Sequence, residues 1–190
     1  MSPADRVAAA APAESGASAD VADRSDLLSV IRPVAAPVAE VRALFWDIAS
    51  WHAVWDRITA VRVHYDDGAH QEFDLEVERD GRTEFVRTVR FLAPGGDIEF
   101  FSPNPPPGMA DHLGAWRFTE QDGGCLVTAE RAYELLPAQP GGSPSDPAHQ
   151  DYRDAYRRRF EDRLGRILDS FVSHFEAGAQ PAPAALGAAA

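Results

Sequence analysis

Between Val61 and Leu135 the apolar residues recur at every second position, and the runs are cut by "DDG", "RDG", "PGG", "PNPPPG" and "QDGG". A side-chain period of two marks half-buried strands, and the Gly, Pro, Asn and Asp between them supply the backbone conformations of tight turns. "HQEFDLEVE" shows the pattern most cleanly, with Phe73, Leu75 and Val77 on one face and Glu72, Asp74, Glu76 and Glu78 on the other. The sheet therefore has one wet face and one dry face, and something apolar must cover the dry one. Six consecutive strands are expected, joined as a meander: "VRVHY", "HQEFDLEVE", "TEFVRTVRFLA", "DIEFFS", "DHLGAWRFTE" and "CLVTAERAYEL".

The cover comes from the segments on either side. "DLLSVIRPVAAP" reads as a first strand that stops at Pro33 and Pro37, after which Val38, Val41, Leu44, Phe45 and Ile48 recur at helical spacing. Ser50 is placed to cap a second short helix carrying Trp51, Val54 and Trp55. From Ala148 to Glu176 a long amphipathic helix is expected, its apolar stripe formed by Tyr152, Tyr156, Phe160, Leu164, Ile167, Leu168, Phe171 and Phe175. Arg157, Arg158, Arg159, Arg163 and Arg166 crowd its other sides. They suit a solvated face pairing along the helix with Glu161, Asp162 and Asp169, or a docking patch for an acidic carrier protein. The class is thus α+β: a curved antiparallel sheet of about seven strands wrapped around a long C-terminal helix, with two short helices after the first strand. A large sheet closed over one helix leaves room for an internal cavity, and such cavities take apolar ligands.

Residues 26–177 are expected to form this domain, with residues 1–25 and 178–190, rich in Ala, Pro and Gly, as disordered tails. The 45% hydrophobic content supplies a sizeable core, and the net charge of −12, from 30 acidic against 18 basic residues, argues against nucleic acid or an anionic membrane as partner. The single cysteine, Cys125, excludes an intramolecular disulfide and reads as a small buried hydrophobe in a cytoplasmic protein. His52, His64, His70, His112, His149 and His174 lack zinc-site spacing, so no metal is expected. No Gly-rich phosphate loop and no G-x-S-x-G motif is present.

"FVRTVRFLA" raises the question of which arginine faces inward. If Asp80 and Gly81 are the two turn residues, cross-strand partners have numbers summing to a constant, and Phe73, Leu75 and Val77 lie opposite Thr88, Val86 and Glu84. Val86, Thr88 and Arg90 then line the interior, and Arg87 meets water beside Asp74 and Glu76. A one-residue bulge would reverse this, turning Arg87 inward with Phe85, Val89 and Phe91. In "CLVTAERAYEL" the more apolar face carries Arg131 and Tyr133; in "DHLGAWRFTE" Trp116 and Phe118 share a face with His112 and Gly114. His112, soon after "PPPGM", is expected in a loop at the pocket mouth. Buried cations that cost several kcal/mol unless paired or wetted suggest a polar-lined pocket for an oxygen-rich ligand; otherwise the arginines reach the rim or a carboxylate.

"APVAEVRALFWDIASWHAVWDRI" resembles the opening of the START/Bet v1-like polyketide cyclase superfamily, and "GAWRFTEQDGGCLVTAERAYEL" before a long final helix is similar to its ending. Closest in pattern are the single-domain aromatase/cyclases of type II aromatic polyketide pathways, and the resemblance covers about Leu27 to Glu176. It implies a helix-grip fold whose cavity takes a poly-β-ketone from an acyl carrier protein, closes a ring by aldol reaction and dehydrates it, with no cofactor. It implies a cavity arginine at Arg90, a small hydroxyl at Thr88, and tryptophans at Trp51 and Trp116. The sequence departs from the pattern at Ile58, where some relatives place a cavity tyrosine, and near Arg131, where others place a catalytic histidine. The expected catalytic set is Arg90, Tyr133, Arg131 and Thr88; the expected substrate-binding set is Trp51, Trp55, Phe73, Leu75, Val86, Met109, His112 and Trp116. A guanidinium in a dry pocket stabilises an enolate or alkoxide without giving up its own proton, and hydroxyls, water or His112 can carry protons. A noncatalytic carrier of an apolar small molecule, and a partner protein with a filled interior that works through its arginine-rich helix, remain alternatives; a homodimer is compatible with either.

Overall fold

The computed structural model describes residues 26–137 and 147–179; the expected tails lie outside the described residues except for Gly178 and Ala179, which continue the last helix. Seven strands form one antiparallel sheet: β1 (Asp26–Val34), β2 (Ile58–Asp66), β3 (His70–Arg79), β4 (Arg82–Leu92), β5 (Ile98–Asn104), β6 (Met109–Gln121) and β7 (Gly124–Leu135). Their order across the sheet is β1-β7-β6-β5-β4-β3-β2, so only the β1–β7 pairing departs from the meander. Helix α1 (Val38–Trp46), a 3₁₀ turn (Ile48–Ser50) and helix α2 (Trp51–Val54) follow β1, and α3 (Pro147–Ala179) closes the chain. The sheet curls around α3, which is the helix-grip arrangement.

The turn chemistry sets the register. Asp80 and Gly81 both have positive φ, 49° and 73°, as a type I′ turn requires. Arg79 pairs with Arg82, Leu75 with Val86, Phe73 with Thr88 and Gln71 with Arg90, with no bulge between β3 and β4. Arg90 therefore faces inward and is 2% exposed, while Arg87 on the outer face pairs with Asp74 at 2.8 Å and with Glu72 at 3.5 Å.

The core lies between the concave face and α3. Phe45 of α1 stacks on Phe171 of α3 at 4.0 Å and packs against Trp51, Trp116 and Phe118, an aromatic plug at one end of the fold. Cys125 is buried there as a small hydrophobe, and burial raises its thiol above the usual range. The charged side of α3 ties to β1: Arg153 grips Asp26 at 3.1 and 2.6 Å, and Arg32 reaches Asp169 at 2.6 Å. Asp169 was expected to pair along the helix; it pairs across to the sheet, because α3 packs on β1 and brings the two charges to one seam. Among the described residues no helix is long and apolar enough to cross a membrane.

Candidate functional site

Between the concave face and α3 lies a cavity of about 110 Å³. Alternation delivers its sheet wall: Phe73, Leu75 and Val77 from β3, Val86, Thr88 and Arg90 from β4, Phe100 from β5, His112 and Trp116 from β6, and Arg131 from β7. Trp51 and Trp55 enter from α2 and the loop after it; Phe160, Arg163, Leu164 and Ile167 close the cavity from α3. A filled interior is therefore excluded. Ten of the residues named from sequence meet here: Trp51, Trp55, Phe73, Leu75, Val86, Thr88, Arg90, His112, Trp116 and Arg131.

Met109 and Tyr133 do not line it, although both are buried. The Tyr133 ring packs against Tyr156 and Phe160 of α3, and its hydroxyl, pushed up to about 12 by burial, has no hydrogen-bond partner among the described residues. The residues that sequence reasoning missed include Arg79, Phe100 and Arg163. Arg79 continues the odd-numbered face of Phe73, Leu75 and Val77, so the same alternation places it inward.

Arg90 is a clamp. Its Nε donates to Gln71 Oε1 at 2.8 Å and its Nη1 to the Phe45 carbonyl at 2.9 Å, while Nη2 bonds both the Trp46 carbonyl and Gln71 Oε1. Four of the five N–H donors of a guanidinium are thereby committed, leaving one on Nη1. Phe45 and Trp46 end α1, so Arg90 satisfies carbonyls that a helix C-terminus leaves without partners, and places its charge at the negative end of the helix dipole. Its guanidinium also lies over Trp46, Trp51 and Phe73, at 4.9, 5.6 and 4.9 Å. Burial lowers its pKa to about 9, which leaves it charged at neutral pH.

Arg131 is held differently. It is 5% exposed, with its guanidinium 4.1 Å from the Trp116 ring and 4.7 Å from that of Phe100. Nη1 donates to the carbonyls of Ala115 at 3.2 Å and Glu130 at 2.7 Å. Among the described residues Nε and Nη2 make no hydrogen bond and no carboxylate pairs with Arg131: the Glu130 carboxylate is on the outer face, 2.7 Å from Arg117. Burial lowers Arg131 also to about 9. Gly114, its cross-strand partner, makes the room. A Cβ there would stand 2.1 Å from the Glu130 carbonyl and 3.1 Å from both Arg131 Cδ and the Phe100 ring.

His112 lies within β6, not in a mouth loop, because the strand begins as early as Met109. Its ring stands edge-on to Phe100 and Phe160; Nδ1 lies 3.1 Å from Ser102 Oγ, and the buried Nε2 has no partner among the described residues. Burial, with Arg131, Arg79 and Arg163 nearby, pulls its pKa down to about 3, so the ring is neutral at physiological pH.

A second, larger pocket of about 560 Å³ adjoins the first and shares Trp55, Arg79 and Arg163 with it. The tip of the β3–β4 hairpin and α3 frame it, and Arg57, Arg159 and Arg166 line it beside Asp56, Glu78, Asp80 and Asp162. Among the described residues no group of three or more His, Cys, Asp or Glu is arranged to hold a metal ion.

The sequence profile of the family described as polyketide cyclase / dehydrase and lipid transport matches residues 28–176. A search of curated protein sequences gives no match. Among solved structures, the chain is similar to the Zhui aromatase/cyclase from Streptomyces sp. R1128, with TM-score 0.67 and 18% identity over 86% of this chain and 99% of that one. It is similar to the di-domain ARO/CYC StfQ from the steffimycin biosynthetic pathway, with TM-score 0.71 and 20% identity over 85% of this chain, and spans 55% of that protein's length. A START superfamily protein from Mycobacterium smegmatis aligns with TM-score 0.65 and 13% identity over 80% of this chain and 99% of that one. At such identities the likeness is one of fold, the START/Bet v1 helix grip.

Proposed function

The chain belongs to the polyketide cyclase / dehydrase and lipid transport family, and on that footing we propose that it is a cofactor-independent aromatase/cyclase. Its substrate is a poly-β-ketone delivered to the cytoplasmic protein by an acyl carrier protein, and its reaction is aldol ring closure followed by dehydration. The observation that carries this reading is a buried guanidinium, Arg131, whose Nε and Nη2 have no partner among the described residues, beside an aromatic-walled cavity and a neutral histidine.

The aldol step needs one carbon enolised and one carbonyl made electrophilic. Arg131 donates to the oxygen on which negative charge develops, and in a water-poor cavity such a donor is worth far more than in water. Its pKa of about 9 keeps it protonated throughout. Neutral His112, whose Nδ1 accepts from the Ser102 hydroxyl, donates through its Nε2–H to the oxygen on which charge develops, while the Thr88 hydroxyl and water carry the protons of enolisation and dehydration. Arg90 acts as a positioning residue: it fixes the end of α1, and with it Trp51, against the sheet. Trp51, Trp55, Phe73, Leu75, Val86 and Trp116 shape the space in which the chain bends.

A cavity of about 110 Å³ resembles in size the apolar cavities of about 150 Å³ that hold one benzene. One six-membered ring closes at a time, and the rest of the chain occupies the outer pocket, whose arginines on α3 face the incoming acidic carrier. The test is to add the protein to a minimal polyketide synthase that makes a reactive poly-β-ketone. Wild type and the outer-face variant Arg87→Met should redirect the products to one aromatised ring pattern, and Arg131→Met should lose that effect. Products unchanged by wild type sink the cyclase reading, and unchanged products together with tight retention of the polyketide favour a noncatalytic carrier.

A further inference from the structure

Three arginines of this fold use, or leave free, the same edge of the guanidinium. Arg87 grips Asp74 side-on, with Nε at 2.8 Å from one carboxylate oxygen and Nη2 at 3.2 Å from the other. Arg153 grips Asp26 the same way, at 3.1 and 2.6 Å. Arg131 has its Nη1 anchored on two backbone carbonyls, and among the described residues that same Nε–Nη2 edge has no partner and no carboxylate pairs with it. Two parallel N–H groups match the two oxygens of a carboxylate, whereas a ketone or thioester oxygen meets only one of them well.

The surroundings have the same bias. The unpartnered groups close by are donors or can serve as donors: the Nε of Arg79 and the Nε2 of His112, which carries the ring proton when Nδ1 accepts from Ser102. Two carboxylates of the strands that line the cavity are already engaged, Glu84 with Arg79 and Glu130 with Arg117. A buried cation without a counter-charge is costly, and an anionic ligand arriving at this edge removes the cost. Phe100 and Trp116 against Arg131, and the volume of about 110 Å³, fit a single planar ring.

We propose that the inner cavity is a carboxylate site: it binds a one-ring aromatic acid, with the carboxylate on the Nε–Nη2 edge of Arg131, the Nε2 of His112 as an additional donor and the ring among Phe100, Trp116 and Phe160. Such an acid is what a ring-closed thioester becomes when water releases it from its carrier. This protein holds that acid and competes it against incoming chain; no reaction on it is implied. The inference rests on the cavity being the ligand site, as in the cyclase reading, and is independent of whether ring closure happens there.

Ligand-observed NMR and calorimetry at pH 7 on the full chain, with benzoate and its neutral isostere benzamide as probes, provide the test. Benzoate should bind one-to-one and about tenfold or more tighter than benzamide, and Arg131→Gln should reduce that preference to near unity. Arg87→Gln, on the outer face, should leave it unchanged. If Arg131→Gln fails to fold, Arg131→Lys keeps the charge but not the two-pronged edge and should bind benzoate several-fold more weakly than wild type. Equal affinity for the two probes, no binding of benzoate to wild type, or full benzoate affinity in Arg131→Gln or Arg131→Lys overturns the proposal. Failed benzoate binding with products still redirected sinks the carboxylate site alone; intact benzoate binding with products unchanged sinks the cyclase reading alone.

Discussion

Arg90 on β4 and Arg131 on β7 look alike by every coarse measure: 2% and 5% exposed, each over aromatic rings, each without a carboxylate partner among the described residues, each lowered to about 9 by burial. They differ in where their N–H groups go. Arg90 joins Gln71 of β3 to the last carbonyls of α1, so its donors are committed to holding elements of the fold together. Arg131, which lines the cavity, is anchored through Nη1, and its Nε and Nη2 have no hydrogen-bond partner among the described residues. Burial identifies a candidate cation; uncommitted donors identify one that can meet a ligand.

The sharpest way to break this comparison is to remove each group in turn. Arg90→Met leaves the Trp46 carbonyl and the Gln71 amide oxygen without this donor, at about 1–3 kcal/mol each, while Trp51 Nε1 still reaches the Phe45 carbonyl, so a loss of about 2 kcal/mol or more is expected in chemical denaturation. A loss near zero would mean that Arg90 does not clamp α1. Gly114→Ala comes next: a Cβ 2.1 Å from a backbone carbonyl and 3.1 Å from Arg131 should cost about 1–3 kcal/mol and weaken benzoate binding, measured on the same samples.

Titration comes third. The folded state holds His112 neutral down to about pH 3, whereas the unfolded chain protonates it near its ordinary value. The native state therefore binds fewer protons, and stability present above about pH 6.5 falls as the pH drops, by up to about 1.4 kcal/mol per unit. His112→Asn should flatten the stability profile between pH 6.5 and 4.5, before Asp74, held at about 2 by Arg87, begins to titrate. Parallel profiles for variant and wild type would remove His112 from the buried wall. The smallest effect is expected for Arg131→Met, within about 1 kcal/mol of wild type, since an apolar side chain replacing an unpaired buried cation is often neutral or stabilising.

Much of the fold is written locally. "RDGR" sets the β3–β4 register, and from it Thr88 and Arg90 follow as inward residues without knowledge of any distant contact. The helical spacing of Phe160, Leu164 and Phe171 names the face of α3 that meets the sheet. The division between the two arginines is not written locally. Gln71 is 19 residues from Arg90, and the carbonyls of Phe45 and Trp46 are 45 and 44 residues away, so only the assembled fold shows that those donors are taken. Tyr133 shows the same limit: alternation points it inward, but the path of α3 puts Tyr156 and Phe160 against its ring, outside the cavity lining. For His112, a run of prolines suggested a loop, and the ladder with Tyr133 on β7 made it strand.

The most direct measurement is nitrogen-15 NMR of the arginine Nε–H groups in the full chain during a benzoate titration at pH 7. The Nε–H signal of Arg131 should shift progressively with benzoate, and that of Arg90, bonded to Gln71 and slow to exchange, should stay in place. A shift at Arg90 with Arg131 unmoved would contradict the division of roles between the two.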